Sequence, residues 1–237
     1  MTKKPRATKI PKIDIPNIER VGMKEIKPKS INQKKYLDLM KEKKIIFALN
    51  GSGVGKTALA VMYGAQELLR GNYDKLTIIR AAVEACGESL GFLPGDSTAK
   101  LFPYMQPIFA ELASYGIVNG EVQKLIQEGK LQILPIAFCR GINMHNTFCI
   151  VDEVQNVSYQ QMMLILSRFG RKSKMILEGD CNQSDLPIEK RFDIVKFAKF
   201  LAELPDIGLV EFDMEKDCIR EIIISDIFRK LKEYQVL

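Results

Sequence analysis

A glycine-rich stretch at residues 50–57 is the part of this chain whose residue types and spacing are best suited to chemistry. It follows an apolar run at 45–49 and precedes a helix-favouring run at 58–62. Its members are Asn50, Gly51, Ser52, Gly53, Val54, Gly55, Lys56 and Thr57. In a strand–turn–helix context, such glycines let backbone N–H groups surround phosphate oxygens, and the helix N-terminus attracts the anion. The stretch therefore predicts a P-loop that binds a nucleoside triphosphate.

Two side chains of this loop have expected roles. Lys56 would reach the β- and γ-phosphates, and the Thr57 hydroxyl would hold Mg²⁺. Asn50 departs from the usual pattern, G-x-x-x-x-G-K-[ST], because it stands where the first glycine is expected. Asparagine tolerates left-handed backbone angles better than most residues, so we expect the loop to form with Asn50 in place.

Two adjacent carboxylates follow another apolar run. Residues 148–151 are Phe-Cys-Ile-Val, and Asp152 and Glu153 come directly after them. This is the Walker B pattern, in which Asp152 would bind Mg²⁺ through water and Glu153 would activate the attacking water. Taken alone, an Asp-Glu pair after a strand is usually a solvated strand end. A P-loop that ends 95 residues earlier, at Thr57, favours the functional interpretation.

A third polar group follows the next predicted strand, in the order Gly179-Asp180-Cys181-Asn182-Gln183. The carboxyl ends of parallel strands meet at one edge of a sheet, where ligands bind. Gln183 is thus placed to contact the γ-phosphate or to help position the water. The alternative interpretation of this segment is an ordinary polar loop.

The elements that must position these residues alternate between strand and helix. Apolar runs predict strands at 45–49, 76–80, 131–136, 147–151, 174–179 and 209–212. Helices are predicted from Ser30 or Asn32 to 42, from the P-loop to about 71, and at 98–114 (interrupted by prolines), 121–128, 158–169, 192–204 and 218–234. Such alternation predicts an α/β fold, a mainly parallel sheet with helices on both faces.

The bulk composition excludes several classes of protein. The chain has 237 residues, of which 46% are hydrophobic and 27% charged, and this is typical of a globular protein. No apolar run approaches the roughly 18 residues of a membrane span, and the first residues lack the apolar segment of a secretory signal. Five cysteines without a C-x-x-C pair and one histidine argue against disulfides and zinc. We therefore expect a cytoplasmic protein with reduced thiols and no membrane partner.

The charge is concentrated at the front of the chain. Residues 1–44 hold 14 Lys/Arg and 5 Asp/Glu, whereas residues 45–237 hold 21 and 24. Four prolines and many lysines in residues 1–30 predict an extended basic arm, ahead of a domain at 31–237. A basic arm suits a polyanion such as RNA or single-stranded DNA, and a solvated tail that only aids solubility is the alternative.

These motifs occur together, in the same order, in a known family, and the chain resembles PhoH-like proteins, which are related to superfamily 1 helicases. The resemblance runs from about residue 26 to the end of the chain. It rests on residues 27–33, the P-loop, residues 80–84, 91–95, 140–141 and 152–156, Gly179, Asp180, Gln183, residues 185–187, Asp217 and Arg220.

The resemblance implies a RecA-like fold and further site residues. Gln33 would lie near the adenine, and Arg220 would act on the γ-phosphate of its own chain's ATP or a neighbour's. The resemblance also implies a homo-oligomer, for example a hexameric ring. Besides Asn50, the chain departs from the family at Ala81, at Cys86 and at Glu221.

We therefore expect a Mg²⁺-dependent ATP hydrolase that couples hydrolysis to RNA or single-stranded DNA. The residues also leave two alternative functions open. A nucleotide-dependent switch with little turnover would fit Asn50 and the altered surroundings of Arg220. A P-loop kinase for small molecules is less favoured, because Glu153 and the Gly-Asp-x-x-Gln segment point to water as the acceptor.

Overall fold

A six-stranded parallel sheet forms the centre of the computed structural model, which describes residues 25–81, 108–117 and 119–219 and, beyond them, 223, 226–227, 229–230 and 233–234. The strands are β1 (Ile45–Leu49), β2 (Lys75–Arg80), β3 (Leu131–Pro135), β4 (Thr147–Asp152), β5 (Lys174–Gly179) and β6 (Ile207–Glu211). Their spatial order is β3-β2-β4-β5-β1-β6, and each pairing is parallel. The predicted parallel α/β sheet is confirmed.

Helices connect these strands. They are α1 (Ile31–Glu42), α2 (Lys56–Leu69), α3 (108–114), α4 (Asn119–Gln127), α5 (Tyr159–Leu166), α6 (Ile194–Leu201) and α7 (Met214–Asp217). Ser30 caps α1 by accepting a hydrogen bond from the Gln33 N–H, and Ser158 caps α5 in the same way through Gln161. Both caps agree with the sequence, because a side-chain oxygen satisfies an N–H group that the helix leaves free.

Several boundaries differ from the sequence prediction. Helices α5 and α6 are shorter than the predicted 158–169 and 192–204. The helix predicted from residue 218 does not begin there, because residues 218 and 219 are not helical and the short α7 precedes them. Strand β3 ends at Pro135, one residue before the predicted end, and a 3₁₀ turn follows it. Residues 98–107 of the helix predicted at 98–114, which include its two prolines, lie outside the described residues.

The strands bury both faces because their side chains alternate between two apolar layers. In β1, Ile46 and Ala48 pack in the layer that contains α1 and α2. Phe47 and Leu49 pack in the opposite layer with α5 and α6. Strands buried on both sides read as continuous apolar runs, which is why they were recognisable in the sequence.

The strand register brings the carboxyl ends of the central strands to one edge. Leu49 pairs with Gly179 of β5 on one side and with Glu211 of β6 on the other. Arg80 of β2 pairs with Asp152 of β4. The loop after β1 and the ends of β2, β4 and β5 therefore lie side by side, as a ligand site at this edge requires. None of the described helices is long and apolar enough to cross a membrane.

Candidate nucleotide-binding site

The loop between β1 and α2 has the backbone of a phosphate-binding turn. Positive φ angles occur at Asn50 (65°), Gly51 (66°), Gly53 (69°) and Gly55 (79°). Asn50 thus adopts the left-handed conformation expected from its sequence position. A Cβ atom on Gly51 would lie 2.9 Å from Phe212 Cβ, so glycine is required there for packing as well as for its φ angle.

Lys56 is the first residue of α2 and is nearly buried. Its ammonium group donates hydrogen bonds to the carbonyl oxygens of Asn50 and Gly51, at 2.8 and 2.5 Å. Burial lowers the pKa of Lys56, whereas nearby carboxylates raise it. Those carboxylates are Glu178, Asp180, Glu153 and Asp152. The predicted P-loop lysine and the predicted Walker B pair therefore share one electrostatic site.

Asp152 and Glu153, the predicted Walker B pair, lie at the carboxyl end of β4 in different surroundings. Asp152 ends β4 and is buried, whereas Glu153 follows in a left-handed conformation and donates its backbone N–H to Asp152 Oδ1 at 2.9 Å. Burial, and then the charge of Glu153, raises the pKa of Asp152 to about 6. The two carboxyl groups therefore differ in burial, although they are adjacent in the chain.

Arg80 is a further site residue, and it comes from the end of β2. Its Nε lies 3.5 Å from Asp152 Oδ2, and one of its terminal nitrogens lies 3.9 Å from Glu153 Oε1. The guanidinium group lowers the pKa of Asp152, against the effect of burial. Sequence reasoning placed Arg80 only in a family motif, because its partners depend on the pairing of β2 with β4.

Gln155 connects the ends of β4 and β5, and the sequence placed it only in the family motif at 152–156. Its amide nitrogen donates to Glu153 Oε2 at 2.5 Å, and its amide oxygen accepts from the backbone N–H of Asp180 at 3.1 Å. A Cβ atom on Gly179 would lie 2.2 Å from that amide oxygen. Glycine before Asp180 therefore makes room for the group that orients Glu153.

Gln33 and Gln183, the two predicted glutamines, are placed differently. Gln33 is buried in α1 and donates its amide to the carbonyl oxygen of Val54 in the P-loop at 2.8 Å. Gln183 lies in the turn after β5, where its N–H bonds to the Asp180 carbonyl oxygen at 2.9 Å and its side chain is exposed. The fold thus brings Gln33 to the loop, and it leaves the Gln183 side chain at the surface of the same edge.

Arg220, Cys86, Glu221 and the basic residues 1–24 lie outside the described residues. The chain immediately before Arg220 does reach the P-loop, because a Cβ atom on Gly55 would lie 3.0 Å from Ile219 Cδ1. Asp217 anchors this segment by accepting hydrogen bonds from the Asn32 amide and the Asp213 N–H, at 2.7 and 2.9 Å.

Glu178 is a fully buried carboxylate that sequence reasoning missed. It accepts a hydrogen bond from the Tyr36 hydroxyl at 3.2 Å. Burial, and then the charge of Asp152, raises the pKa of Glu178 to about 8, whereas Lys56, Thr57 and Tyr36 lower it. The sequence does contain a signal for this residue, because Glu178 is a glutamate within the apolar run at 174–179.

The donor atoms at this edge suit Mg²⁺ bound together with a nucleotide. A hydroxyl oxygen of Thr57 and carboxylate oxygens of Asp152 are hard ligands of the kind that Mg²⁺ prefers. Among the described residues no group of three or more His, Cys, Asp or Glu side chains could hold a metal alone. Mg²⁺ is usually bound by one or two protein oxygens plus phosphate oxygens and water.

Comparison with known proteins assigns the chain to a family. The model of the PhoH-like protein family matches residues 25–232. The chain belongs to the PhoH-like family. PhoH-like proteins are 39% identical to it over 202 residues in Synechocystis sp. (strain PCC 6803) and 35% identical over 205 residues in Bacillus subtilis (strain 168). Protein PhoH of Escherichia coli (strain K12) is 33% identical over 189 residues.

These matches cover different shares of the two chains. They span 85%, 86% and 79% of this PhoH-like chain, but only 61%, 63% and 53% of the respective relatives.

Among solved structures, the large terminase of a thermophilic bacteriophage matches with a TM-score of 0.50 and 12% identity, over 86% of this chain and 50% of the terminase. The complex of that terminase with ADP also matches with a TM-score of 0.50, at 13% identity. The predicted P-loop NTPase fold is thereby confirmed.

Proposed function

We propose that this PhoH-like protein binds ATP with Mg²⁺, hydrolyses it, and couples hydrolysis to RNA or single-stranded DNA. One observation carries the proposal: the charge of Lys56 interacts with the carboxyl groups of Asp152 and Glu153, beside a loop of residues with positive φ. A cation, a metal-binding carboxylate and a second carboxylate at one sheet edge are what phosphoryl transfer to water needs.

The same proposal assigns a binding role to each of these groups. The N–H groups of the loop and the Lys56 ammonium hold the β- and γ-phosphates. Thr57 and Asp152 hold Mg²⁺, which would neutralise charge on the phosphate oxygens when bound. Gln33, which is hydrogen-bonded to Val54 in the loop, contacts the adenine.

The hydrolytic step is assigned to Glu153, which accepts a proton from the attacking water. Gln155 orients one carboxylate oxygen by a hydrogen bond of 2.5 Å, and Arg80 lies 3.9 Å from the other. Gln183 is assigned to the γ-phosphate or to the water, since it follows β5 at the same edge. The side chains around Glu153 thus hold it in one orientation before substrate arrives.

Coupling to a polynucleotide and to other subunits is proposed on two grounds. Residues 1–44 carry a charge excess of 14 basic over 5 acidic residues, which suits a phosphate backbone. Arg220 is assigned to the γ-phosphate of its own chain's ATP or a neighbour's, and the residue before it, Ile219, lies beside Gly55 of the P-loop. We propose a homo-oligomer, for example a hexameric ring.

Phosphate release measured with RNA, with single-stranded DNA and without nucleic acid tests the proposal. We expect Mg²⁺-dependent release that one of the polynucleotides stimulates. A variant without residues 1–24 should lose part of the stimulation, and the log–log salt slope of its binding should fall by about 0.7 for each lost phosphate contact. Release that no polynucleotide changes would contradict the coupling, and no release under any condition would contradict the hydrolase.

A nucleotide-dependent switch is the second candidate, and the surroundings of Glu153 favour it. One carboxylate oxygen accepts a hydrogen bond from Gln155 and the other lies near Arg80. Both oxygens of the candidate base thus already have polar neighbours, with which an attacking water would have to compete. Tight ATP binding with negligible turnover, both with and without RNA, would identify a switch.

A further inference from the structure

Glu178 has no role in the mechanism above, yet it lies within the same site. It is fully buried in β5, where it pairs with Ala48 of β1, the strand that leads into the P-loop. Val151 pairs with Leu177, so the next residues along the two strands, Asp152 and Glu178, lie side by side. Burying a carboxylate costs free energy that an apolar residue would not. A position that breaks the apolar pattern in this way is a candidate for function.

The two carboxylate oxygens of Glu178 differ in their surroundings. Oε2 accepts a hydrogen bond from Tyr36, whereas Oε1 is buried without a hydrogen-bond partner of ordinary geometry among the described residues. The Thr57 side chain is nevertheless close enough to stabilise the charged carboxylate. Buried polar atoms without partners are rare, so an available acceptor beside the Thr57 hydroxyl requires an explanation.

We propose that Glu178 is a positioning residue that accepts the hydrogen of the Thr57 hydroxyl and so turns the lone pairs of that oxygen toward the Mg²⁺ of a bound nucleotide. The inference rests on the nucleotide site proposed above. A hydroxyl has one hydrogen and two lone pairs, and it can ligate a metal only when the hydrogen points elsewhere. Bound Mg²⁺ would favour the ionised form of Glu178. A carboxylate acceptor then fixes that orientation and strengthens the oxygen as a ligand.

The anchoring of Glu178 supports this role. The Tyr36 hydroxyl holds Oε2 from α1, while Thr57 lies in the first turn of α2. The carboxylate is therefore held by Tyr36 through one oxygen, and its second oxygen is available to accept a hydrogen bond from Thr57. Loss of such an outer partner of a metal ligand typically lowers metal affinity roughly 10- to 100-fold.

Binding of Mn²⁺ in place of Mg²⁺ tests the proposal without using activity. The free-ion electron paramagnetic resonance signal of Mn²⁺ disappears on binding, so the affinity can be titrated in the presence of ADP. We expect Glu178→Gln to weaken Mn²⁺ binding by roughly tenfold or more. ADP affinity in EDTA, where Thr57 has no metal to hold, should change less than twofold.

A double-mutant cycle separates positioning from a general structural effect. If Glu178 acts through Thr57, the substitution Glu178→Gln should change Mn²⁺ affinity less than twofold in a Thr57→Val background. Lys174→Met is the matched control, because it removes another buried charge from β5 whose amine bonds to the Met40 carbonyl oxygen. We expect it to leave Mn²⁺ affinity unchanged.

Each outcome supports or overturns the proposal. The positioning role of Glu178 is overturned if Glu178→Gln leaves Mn²⁺ affinity unchanged, or if it lowers that affinity equally in the wild-type and Thr57→Val backgrounds. Neither result contradicts the nucleotide site. A wild-type protein that binds no ADP overturns both proposals. If Glu178→Gln does not fold, Glu178→Met, which leaves no polar atom to bury, takes its place in the same cycle with the same expected loss.

Discussion

At the scale of single residues, Glu153 shows how a strand end becomes a candidate base. Its backbone is left-handed, and Gln155 donates a hydrogen bond to its carboxylate. We predict that Glu153→Gln keeps ATP affinity and lowers phosphate release by about 10²- to 10⁴-fold, because an amide cannot accept the proton of water. Equilibrium ATP binding and steady-state phosphate release measure the two effects separately.

Glu211→Gln is the control for this prediction. Glu211 ends β6, pairs with Leu49 of the strand before the P-loop, and forms an ion pair with Lys199 at 3.0 Å. The substitution thus changes a carboxylate at the same sheet edge that has no assigned role. Turnover of Glu153→Gln that stays within a few-fold of Glu211→Gln would mean that Glu153 is not the base.

At the scale of elements, the P-loop depends on a residue that accepts a positive φ at its first position. Asn50 has φ of 65° and donates its backbone N–H to the Gly179 carbonyl oxygen at 2.9 Å, which ties the loop to β5. Asparagine reaches this region at modest cost, and a β-branched residue does so with strain.

We predict that Asn50→Gly retains ATP affinity within about twofold and that Asn50→Val weakens it. The left-handed conformation costs an ordinary residue about 1–2 kcal/mol, which corresponds to a roughly 5- to 30-fold loss if binding requires the loop as seen. Calorimetric titration with ATP measures the affinities. Equal binding by the two variants would show that the φ angle at this position does not matter for the nucleotide.

At the scale of the whole molecule, the buried carboxyl groups make stability depend on pH. Without nucleotide and Mg²⁺, burial raises the pKa of Glu178 from the ordinary 4.5 to about 8, so between these values the folded protein keeps a proton that the unfolded chain has released. Below about pH 4.5 both states hold the proton, so the free energy of unfolding falls as pH rises toward 8. Burial also raises the pKa of Asp152, from the ordinary 3.8 to about 6. The free energy of unfolding therefore falls further as pH rises through that range.

We predict that Glu178→Gln removes the Glu178 part of this pH dependence. Without nucleotide, the wild type should lose up to about 1.4 kcal/mol per pH unit through this one group between roughly pH 5 and pH 8. The variant should be more stable relative to wild type at pH 8 than at pH 5. Urea unfolding at several pH values measures the difference, and parallel curves for the two proteins would contradict it.

Assembly also belongs to this scale, and Arg220 provides its test. An arginine that reaches the γ-phosphate can contribute about 10³–10⁵ in rate. If Arg220 acts on the ATP of a neighbouring subunit, mixing the inactive variants Arg220→Ala and Lys56→Ala should restore part of the activity. Such mixtures contain interfaces that join an intact P-loop to an intact Arg220. No recovery after native mass spectrometry has shown subunit exchange would contradict action between subunits.

The sequence by itself determined the local features of this protein. The glycines and Asn50 of the P-loop, the apolar runs of the buried strands and the Ser30 and Ser158 caps follow from backbone chemistry within a few residues. Such features depend on neighbours in the chain, so their residue types are enough to predict them. The domain boundary at residue 31 remains a prediction from composition.

Only the tertiary structure decided which side chains meet. Arg80 reaches Asp152 because β2 pairs with β4, and Gln155 reaches Asp180 because β4 lies beside β5. Glu178 faces Thr57 and Tyr36 for the same reason, since α1 and α2 pack on one face of β5. Strand order and register join residues that are distant in sequence, and no pattern along a single strand specifies its neighbours. The motifs were therefore readable from the chain, whereas the groups that orient them were not.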